Sequence, residues 1–415
     1  MSDERQTLTI VIPAYNEEKA IASIIERCLA ERERIMAETP VSEVEIVVVN
    51  DGSRDRTAEI ARRYAEANGG VRLISHEKNR GYGAALKRGF DEGRGTLVSF
   101  LDADGTCDPA YFIPLVNKLF EQKADVALGS RLGPESEMPR IRRLGNRIYT
   151  ILINALTSAH ITDSASGMRV IRKACLPKLY PLPDGLHFTP AMTARAVSSD
   201  SLKLIEVPIS YKERVGKSKL RVVQDGVRFL KVIMDIILSY RPLRFFFYIA
   251  AFALGVAAIL FIRPLQYYIL YRSVPDWMVY RLIAVVVLVL TSLTIMTVGL
   301  VADQIAELVN AEVRRRRPRL LERAIRAVLS QRVLIVAGPL LVLLGLLINR
   351  RGISQFIFEH RVDVPWVFPV TGAFLVLMGI WSWALGMLER IVRTLRLREL
   401  DQVARREPPA GAARP

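Results

Sequence analysis

Cysteine is scarce in this chain and does not pair by number: Cys28, Cys107 and Cys175 are three and widely separated. That argues against a disulfide framework and agrees with a reducing compartment. The four histidines, His76, His160, His187 and His360, show no metal-ligand spacing and are assigned to surface or core positions. The opening residues Met1-Ser2-Asp3-Glu4-Arg5-Gln6 are polar and no apolar run follows them directly, so no cleaved secretory signal is expected. No zinc-finger spacing or RNA-binding aromatic signature accompanies the net charge of +16, which disfavours a nucleic-acid partner. Much of that excess lies beside long apolar runs instead, where anionic lipid headgroups are the natural counterpart. The glycine pattern that cradles a dinucleotide pyrophosphate is also missing: none follows the first strand, and Gly81-x-Gly83 lacks its third glycine. A nicotinamide or flavin enzyme is therefore disfavoured.

What is present changes character partway along the 415 residues. Up to about Tyr240 the pattern is that of a soluble α/β protein, with strand-like runs at Leu8–Ile12, Val44–Val49, Val71–Ile74, Thr96–Leu101 and Asp125–Gly129. Helical periodicity separates them, as in Ile21, Ile24, Ile25 and Leu29. Ser53 or Asp55 is expected to cap the helix from Thr57 to Asn68. Alternation over about 130 residues implies a doubly wound sheet with its ligands at the carboxyl ends of the strands. Asp51 falls at one such end and Asp102-Ala103-Asp104 at another. Taken alone, an Asp-x-Asp triplet is usually a solvated turn; at a strand end, and paired with Asp51, it suits a hard divalent cation bridging a diphosphate.

Several segments in order carry a resemblance: Val11-Ile12-Pro13-Ala14-Tyr15-Asn16-Glu17-Glu18, Asn50-Asp51-Gly52-Ser53, Arg80-Gly81-Tyr82-Gly83-Ala84-Ala85, Asp102-Ala103-Asp104 and Gly129-Ser130-Arg131. Together they resemble the family 2 glycosyltransferases of GT-A fold. Asp163-Ser164-Ala165-Ser166-Gly167-Met168-Arg169 and Arg214-Val215-Gly216-Lys217-Ser218-Lys219-Leu220 narrow the likeness to dolichyl- or polyprenyl-phosphate mannosyl- and glucosyltransferases, over about residues 7 to 240. The resemblance implies that Pro13, Tyr15, Glu17 and Asp51 hold the base and ribose of a nucleotide-sugar donor, with Asp102 and Asp104 holding Mg²⁺ or Mn²⁺ on its diphosphate. It further implies that Arg131 and Arg214, with Arg143 and Lys219, grip the acceptor phosphate or the departing diphosphate. Some relatives carry Gln two residues after the second carboxylate as a further metal ligand; here that residue is Thr106. The Gln-x-x-Arg-Trp sequence of processive polysaccharide synthases is absent, which disfavours polymer extrusion.

The chemistry separates acceptors by whether they need a base. An alcohol must lose a proton as it attacks, whereas a lipid phosphate is already anionic and wants a cationic cradle. Arg131, Arg143, Arg214, Lys217 and Lys219 supply one on this reading; on the blander one they form a solvated or lipid-facing basic surface. Asp163 is either a structural cap near Ser166-Gly167 or an acid/base residue, and Gly129, Gly167 and Gly216 are assigned to tight turns. The expected product is a polyprenyl-phosphate hexose. The alternatives are a glycolipid synthase acting on a lipid alcohol, or an inactive membrane scaffold or translocation partner.

Beyond the catalytic part, Leu220, Val223, Val227, Leu230, Met234 and Ile237 fall at helical spacing, as in an interfacial helix or an ordinary packed one. Four apolar runs follow, at about 245–262, 282–302, 333–348 and 367–388, each near the ~20 residues that span a bilayer core. The arginines from Arg314 to Arg332 and those from Arg390 to Arg398 place both flanking segments in the cytoplasm. The expected organisation is a cytoplasmic GT-A domain at 1–217, amphipathic juxtamembrane helices at 218–243, a four-helix transmembrane domain at 244–389 and a basic cytoplasmic tail at 390–415. Spans almost free of ionisable residues serve as an anchor, or as a surface through which copies associate, and not as a transport path.

Overall fold

From Leu8 to Ala14 every residue is buried, the mark of a strand covered on both faces. This strand, β1 (Gln6–Ala14), is the middle of a sheet in a computed structural model that describes residues 5–133, 136–157, 159–212, 222–309, 320–360 and 363–406. The chain divides into two units, Met1–Ser239 and Tyr240–Pro415.

In the first unit β1 is followed by α1 (Ile21–Glu38), β2 (Val41–Asn50), α2 (Thr57–Ala67), β3 (Val71–Ser75), α3 (Tyr82–Glu92) and β4 (Leu97–Phe100). Then come α4 (Phe112–Glu121), β5 (Val126–Ser130), α5 (Arg140–Thr157), β6 (Arg169–Arg172), α6 (Leu176–Leu179), α7 (Phe188–Ser198), β7 (Leu204–Pro208) and α8 (Val222–Tyr240). Among the described residues seven strands form one sheet in the order β3-β2-β1-β4-β6-β5-β7. The chain winds from β1 outward through β2 to β3 and then crosses back to lay β4 on the other side of β1, both neighbours parallel to it. The gap between the carboxyl ends of β1 and β4 is thus a topological switch point, where open α/β sheets leave room for a ligand.

The sequence pattern implies a sheet of alternating parallel strands, and the far half departs from that. β6 inserts antiparallel between β4 and β5. It is only four residues long with arginine at both ends, too short and too polar to announce itself by periodicity. At α2 neither expected residue is the cap: the N-cap is Arg56, with no side-chain cap hydrogen bond, while Asp55 Oδ1, one residue earlier, accepts from the Thr57 backbone at 3.0 Å and Ser53 Oγ accepts from Asn16 N at 3.0 Å.

The second unit is helical, with α9 (Pro242–Tyr271), α10 (Val279–Val309), α11 (Leu320–Val328), α12 (Gln331–Glu359) and α13 (Val367–Arg406). Among the described residues four stretches, 242–271, 276–309, 331–359 and 367–395, are long and apolar enough to cross a membrane, and each expected span lies inside one of them. α9 packs along α10 and α12 along α13. Charged groups gather at one end: Arg244 Nε donates to Glu322 Oε1 at 2.7 Å with both side chains buried. Arg326 there pairs with Asp303 and, at 2.6 Å, with Glu307. Away from them Trp366 Nε1 donates to Asp276 Oδ1 at 2.8 Å, joining the α9–α10 and α12–α13 connections.

The α12–α13 pair closes on glycine. A Cβ on Gly338 would lie 2.7 Å from the Gly379 carbonyl oxygen, and one on Gly379 would lie 2.5 Å from that of Gly338. Close backbone approach through small residues is how helices associate where lipid removes the hydrophobic drive. Gly379→Leu is therefore expected to lower the stability of the second unit by about 1–3 kcal/mol, read as an earlier melting transition in detergent. Leu377→Ala, at an exposed position, is expected to leave that transition in place.

Candidate active site

The loops that leave β1, β2 and β4 meet at the switch point, and they are tied to one another before any ligand arrives. Asn16 takes a left-handed backbone, φ 51°, a conformation Asn tolerates better than most residues. Its Oδ1 accepts from Arg54 N at 2.8 Å, and Glu17 N donates to Thr57 Oγ1 at 2.8 Å. Tyr15 and Glu17 are held beside Asp51 by these cross-links.

Asp51 is buried and heavily bonded. Its Oδ1 accepts from Arg80 N at 2.8 Å and pairs with His76 Nδ1 at 2.7 Å, while Oδ2 accepts from Gly81 N at 2.8 Å. The carboxylate knots the tip of β2 to the start of α3, and Oδ2 retains a lone pair for a donor on a ligand. His76, expected at the surface or in the core, is a partner of this site residue.

The two carboxylates after β4 are each gripped by a hydroxyl. Tyr82 donates to Asp102 Oδ1 at 2.7 Å, and Thr106 donates to Asp104 Oδ1 at 2.7 Å. Thr106, which stands where some relatives have a further ligand, here fixes the orientation of Asp104. Gly167 proves to be more than a turn residue: a Cβ there would fall 2.2 Å from Asp102 Oδ2. Among the described residues no three His, Cys, Asp or Glu side chains come together as a metal cage. A pair of carboxylates without such a cage fits Mg²⁺ or Mn²⁺, which take one or two protein carboxylates and complete their shell with phosphate and water.

At the tip of β5, Arg131 turns two of its three nitrogens to Asp163: Nε to Oδ2 at 2.8 Å and Nη2 to Oδ1 at 3.0 Å. The Arg131 backbone N, Asn146 Nδ2 and Ala165 N donate to the same carboxylate. Burial alone would raise the pKa of Asp163, but the Arg131 charge and these donors outweigh it and hold the carboxyl below its usual range. Asp163 is thus a structural anchor for Arg131, which also stacks 5.6 Å above the Tyr211 ring.

A cavity of about 600 Å³ opens over this floor, within the size range of small-molecule sites. Pro13, Tyr15, Glu17, Asp51, Asp102, Asp104 and Arg131 all line it. Arg143 does not; its Nη2 donates to the Ser136 carbonyl at 2.9 Å. The neighbouring Arg142 lines the cavity instead, together with Arg228 of α8 and His187. Burial, then the nearby Arg228, lowers the pKa of His187 and so favours its neutral form. Arg214, Lys217 and Lys219 lie outside the described residues. Sequence reading missed Tyr82, Arg142, His187 and Arg228 as lining residues; the helical period of α5 was the available signal for Arg142.

Since Gly167 is what leaves room for Asp102, Gly167→Ala is expected to push that carboxylate aside and weaken Mn²⁺ binding in the presence of a nucleoside diphosphate roughly 10–100-fold. Equilibrium binding to the purified protein checks this, with Gly133→Ala, at an open glycine, as the control expected to be silent.

Comparison with known proteins agrees with the motif order. Residues 9–179 match the model of glycosyl transferase family 2. A low-salt glycan biosynthesis hexosyltransferase of Haloferax volcanii is 34% identical over 239 residues, covering 56% of this chain and 54% of its own. A dolichyl-phosphate β-glucosyltransferase of Trichomonas vaginalis is 32% identical over 224 residues, covering 52% and 66%. The match thus spans about half to two thirds of those two relatives. A dolichyl-phosphate hexose transferase of Haloferax volcanii is 34% identical over 240 residues, 56% of this chain and 95% of that protein. With this nearly complete match to a relative, and a GT-A-like sheet bearing the motif residues on one cavity, the chain belongs to glycosyl transferase family 2.

Proposed function

We propose that the first unit transfers a hexose, mannose or glucose, from a nucleotide sugar to a polyprenyl phosphate at the cytoplasmic face of a membrane, with inversion at the anomeric carbon. The reading rests above all on Asp102 and Asp104, oriented by Tyr82 and Thr106 beside Asp51 in one cavity. Pro13, Tyr15, Glu17 and Asp51 receive the base and ribose, and Asp102 and Asp104 hold Mg²⁺ or Mn²⁺ on the donor diphosphate. A divalent cation bound there supplies Lewis acidity to the leaving group.

Arg131, Arg142 and Arg228, the last paired with Asp225 at 3.3 Å, line the same cavity, and arginines there suit an anionic acceptor. A phosphate oxygen attacks the anomeric carbon as the bond to the diphosphate breaks, and no proton has to leave the nucleophile. That suits a site whose Asp163 is committed to Arg131 and whose pKa is lowered. Arg214 and Lys219 complete the acceptor cradle in this reading; Arg143, engaged by Ser136, acts at most from behind it. The relatives named for dolichyl phosphate support the acceptor class.

α5 supports a membrane-facing acceptor. Over its first turns it is amphipathic in the inverted sense: Asn146 and Thr150 are buried, while Ile141, Leu144, Ile148 and Ile151 are 61%, 60%, 54% and 60% exposed; only towards its end do Ile153 and Leu156 turn inward. The four recur every three or four residues and form one stripe, with Arg140 and Arg147 exposed beside it. Removal from water favours each such side chain by roughly 1.5–3 kcal/mol, and flanking arginines suit anionic headgroups. We place this stripe in the cytoplasmic interface, in keeping with the arginine-rich connections of the second unit.

The direct test is a panel of nucleotide sugars offered to purified protein with labelled polyprenyl phosphate or diacylglycerol. One donor is expected to give a polyprenyl-phosphate sugar and free nucleoside diphosphate, in a reaction abolished by chelator and reduced at least about 100-fold by Asp104→Asn. Transfer only to the hydroxyl lipid, or undiminished turnover in chelator, would contradict the reading. Separately, Leu144→Glu with Ile148→Glu is expected to lower turnover of membrane-embedded acceptor about tenfold while nucleoside diphosphate binding is unchanged. Unaltered turnover would remove α5 from the interface.

A further inference from the structure

Gly145 lies inside α5, where glycine is a poor choice: it brings conformational freedom that a helix must then remove, and most other residues would make the helix more stable. Packing does not call for it. A Cβ on Gly145 would meet nothing within 4 Å among the described residues, whereas one on Gly129 or Gly167 would strike a neighbouring side chain. Gly145 nevertheless lines the cavity, so the space that its missing side chain leaves belongs to the cavity and is open to a ligand.

What borders that space describes the ligand. Ile141, Gly145 and Tyr149 recur every four residues and so stack along one line of α5; all three line the cavity, as does Arg142. At the far end of this line α8 crosses: the Tyr149 hydroxyl donates to the Gly226 carbonyl at 2.9 Å, and the Tyr149 and Phe229 rings lie 6.0 Å apart. At the helical rise per residue, Arg142 and Tyr149 are about 10 Å apart along α5. The wall thus runs from a guanidinium to two aromatic rings. It also reaches the surface, since Ile141 is both a lining residue and an exposed one. On α8, Val227 and Leu230 are exposed next to Gly226 and Phe229. An anionic head at Arg142, with an apolar tail leaving over Gly145 between the two helices, matches this wall in charge and in polarity.

A methyl-branched chain is broader than an unbranched one, and a residue without a side chain leaves room for the difference. We propose that Gly145 is a specificity-determining residue: it opens the passage by which the first branched units of a prenyl phosphate leave the cavity between α5 and α8, and a larger residue there narrows that passage towards unbranched chains. The proposal rests on the lipid-phosphate reading of the cavity and adds to it the residue that selects the chain.

The experiment uses the full chain in detergent with its active nucleotide sugar, and compares farnesyl phosphate with dodecyl phosphate, an unbranched acceptor of equal main-chain length. The unaltered protein is expected to prefer farnesyl phosphate. Gly145→Leu should raise the KM for farnesyl phosphate about tenfold, the order expected when a few buried carbons lose their place, with a several-fold smaller rise for dodecyl phosphate. Gly145→Ala should fall between. Nucleoside diphosphate binding should hold, and the melting temperature of Gly145→Leu should stay level or rise, because leucine is the better helix former. That last readout separates the proposal from a packing role, in which leucine would lower the melting temperature and impair both acceptors alike. Such a result would overturn it, as would equal use of the two phosphates by the unaltered protein or an unaltered KM for farnesyl phosphate in Gly145→Leu. Weakened nucleoside diphosphate binding would assign the space to the donor and overturn it too. Transfer to neither phosphate by the unaltered protein defeats the lipid-phosphate reading with it.

Discussion

Two carboxylates one residue apart repel each other, and much of the first unit is arranged to hold them together. Asp102 and Asp104 stand just beyond β4, where the sheet reverses its winding and leaves a gap beside β1. Tyr82 and Thr106 each occupy one oxygen of the pair, and Gly167 gives Asp102 the space it fills. Preorganisation of this kind removes the cost of ordering the site when substrate arrives.

The same principle governs the two ends of the cavity. On the side proposed to receive the donor, the loops after β1 and β2 are cross-linked through Asn16, Glu17 and Thr57, and Asp51 accepts from three groups in the segment before α3. On the other side Arg131 is held by a buried carboxylate that also takes Asn146 of α5. α5 therefore reaches the site through Asn146 while Leu144, Ile148 and Ile151 are exposed, so one helix links the cavity to the surface proposed to meet a lipid acceptor. In the second unit the ionic ties among Arg244, Glu322, Arg326, Asp303 and Glu307 gather at one end of the helices. The spans themselves remain apolar, as an anchor requires.

How much of this the sequence disclosed follows from the range of each signal. The buried strands β1, β2 and β4 and the four spans were legible because long apolar runs leave few alternatives. The antiparallel β6 was not, since strand direction depends on pairing partners far along the chain, and four residues ending in arginine carry no period. Asp51, Asp102 and Asp104 could be placed at strand ends by counting alone. The partnerships that orient them could not: His76 with Asp51, Tyr82 with Asp102 and Arg131 with Asp163 join residues 20 to 32 positions apart. Arg142 and Arg143 are indistinguishable as a dipeptide, and only the turn of α5 sends one to the cavity and the other to Ser136.

In the proposed function Asp102 and Asp104 together hold a cation on a nucleoside diphosphate. Anomalous scattering from a crystal grown with Mn²⁺ and the diphosphate of the active donor tests it most directly. One peak is expected at a coordination distance of about 2.1 Å from an oxygen of each carboxylate and from the diphosphate; a bound nucleotide with no peak at that pair would rule the cation site out.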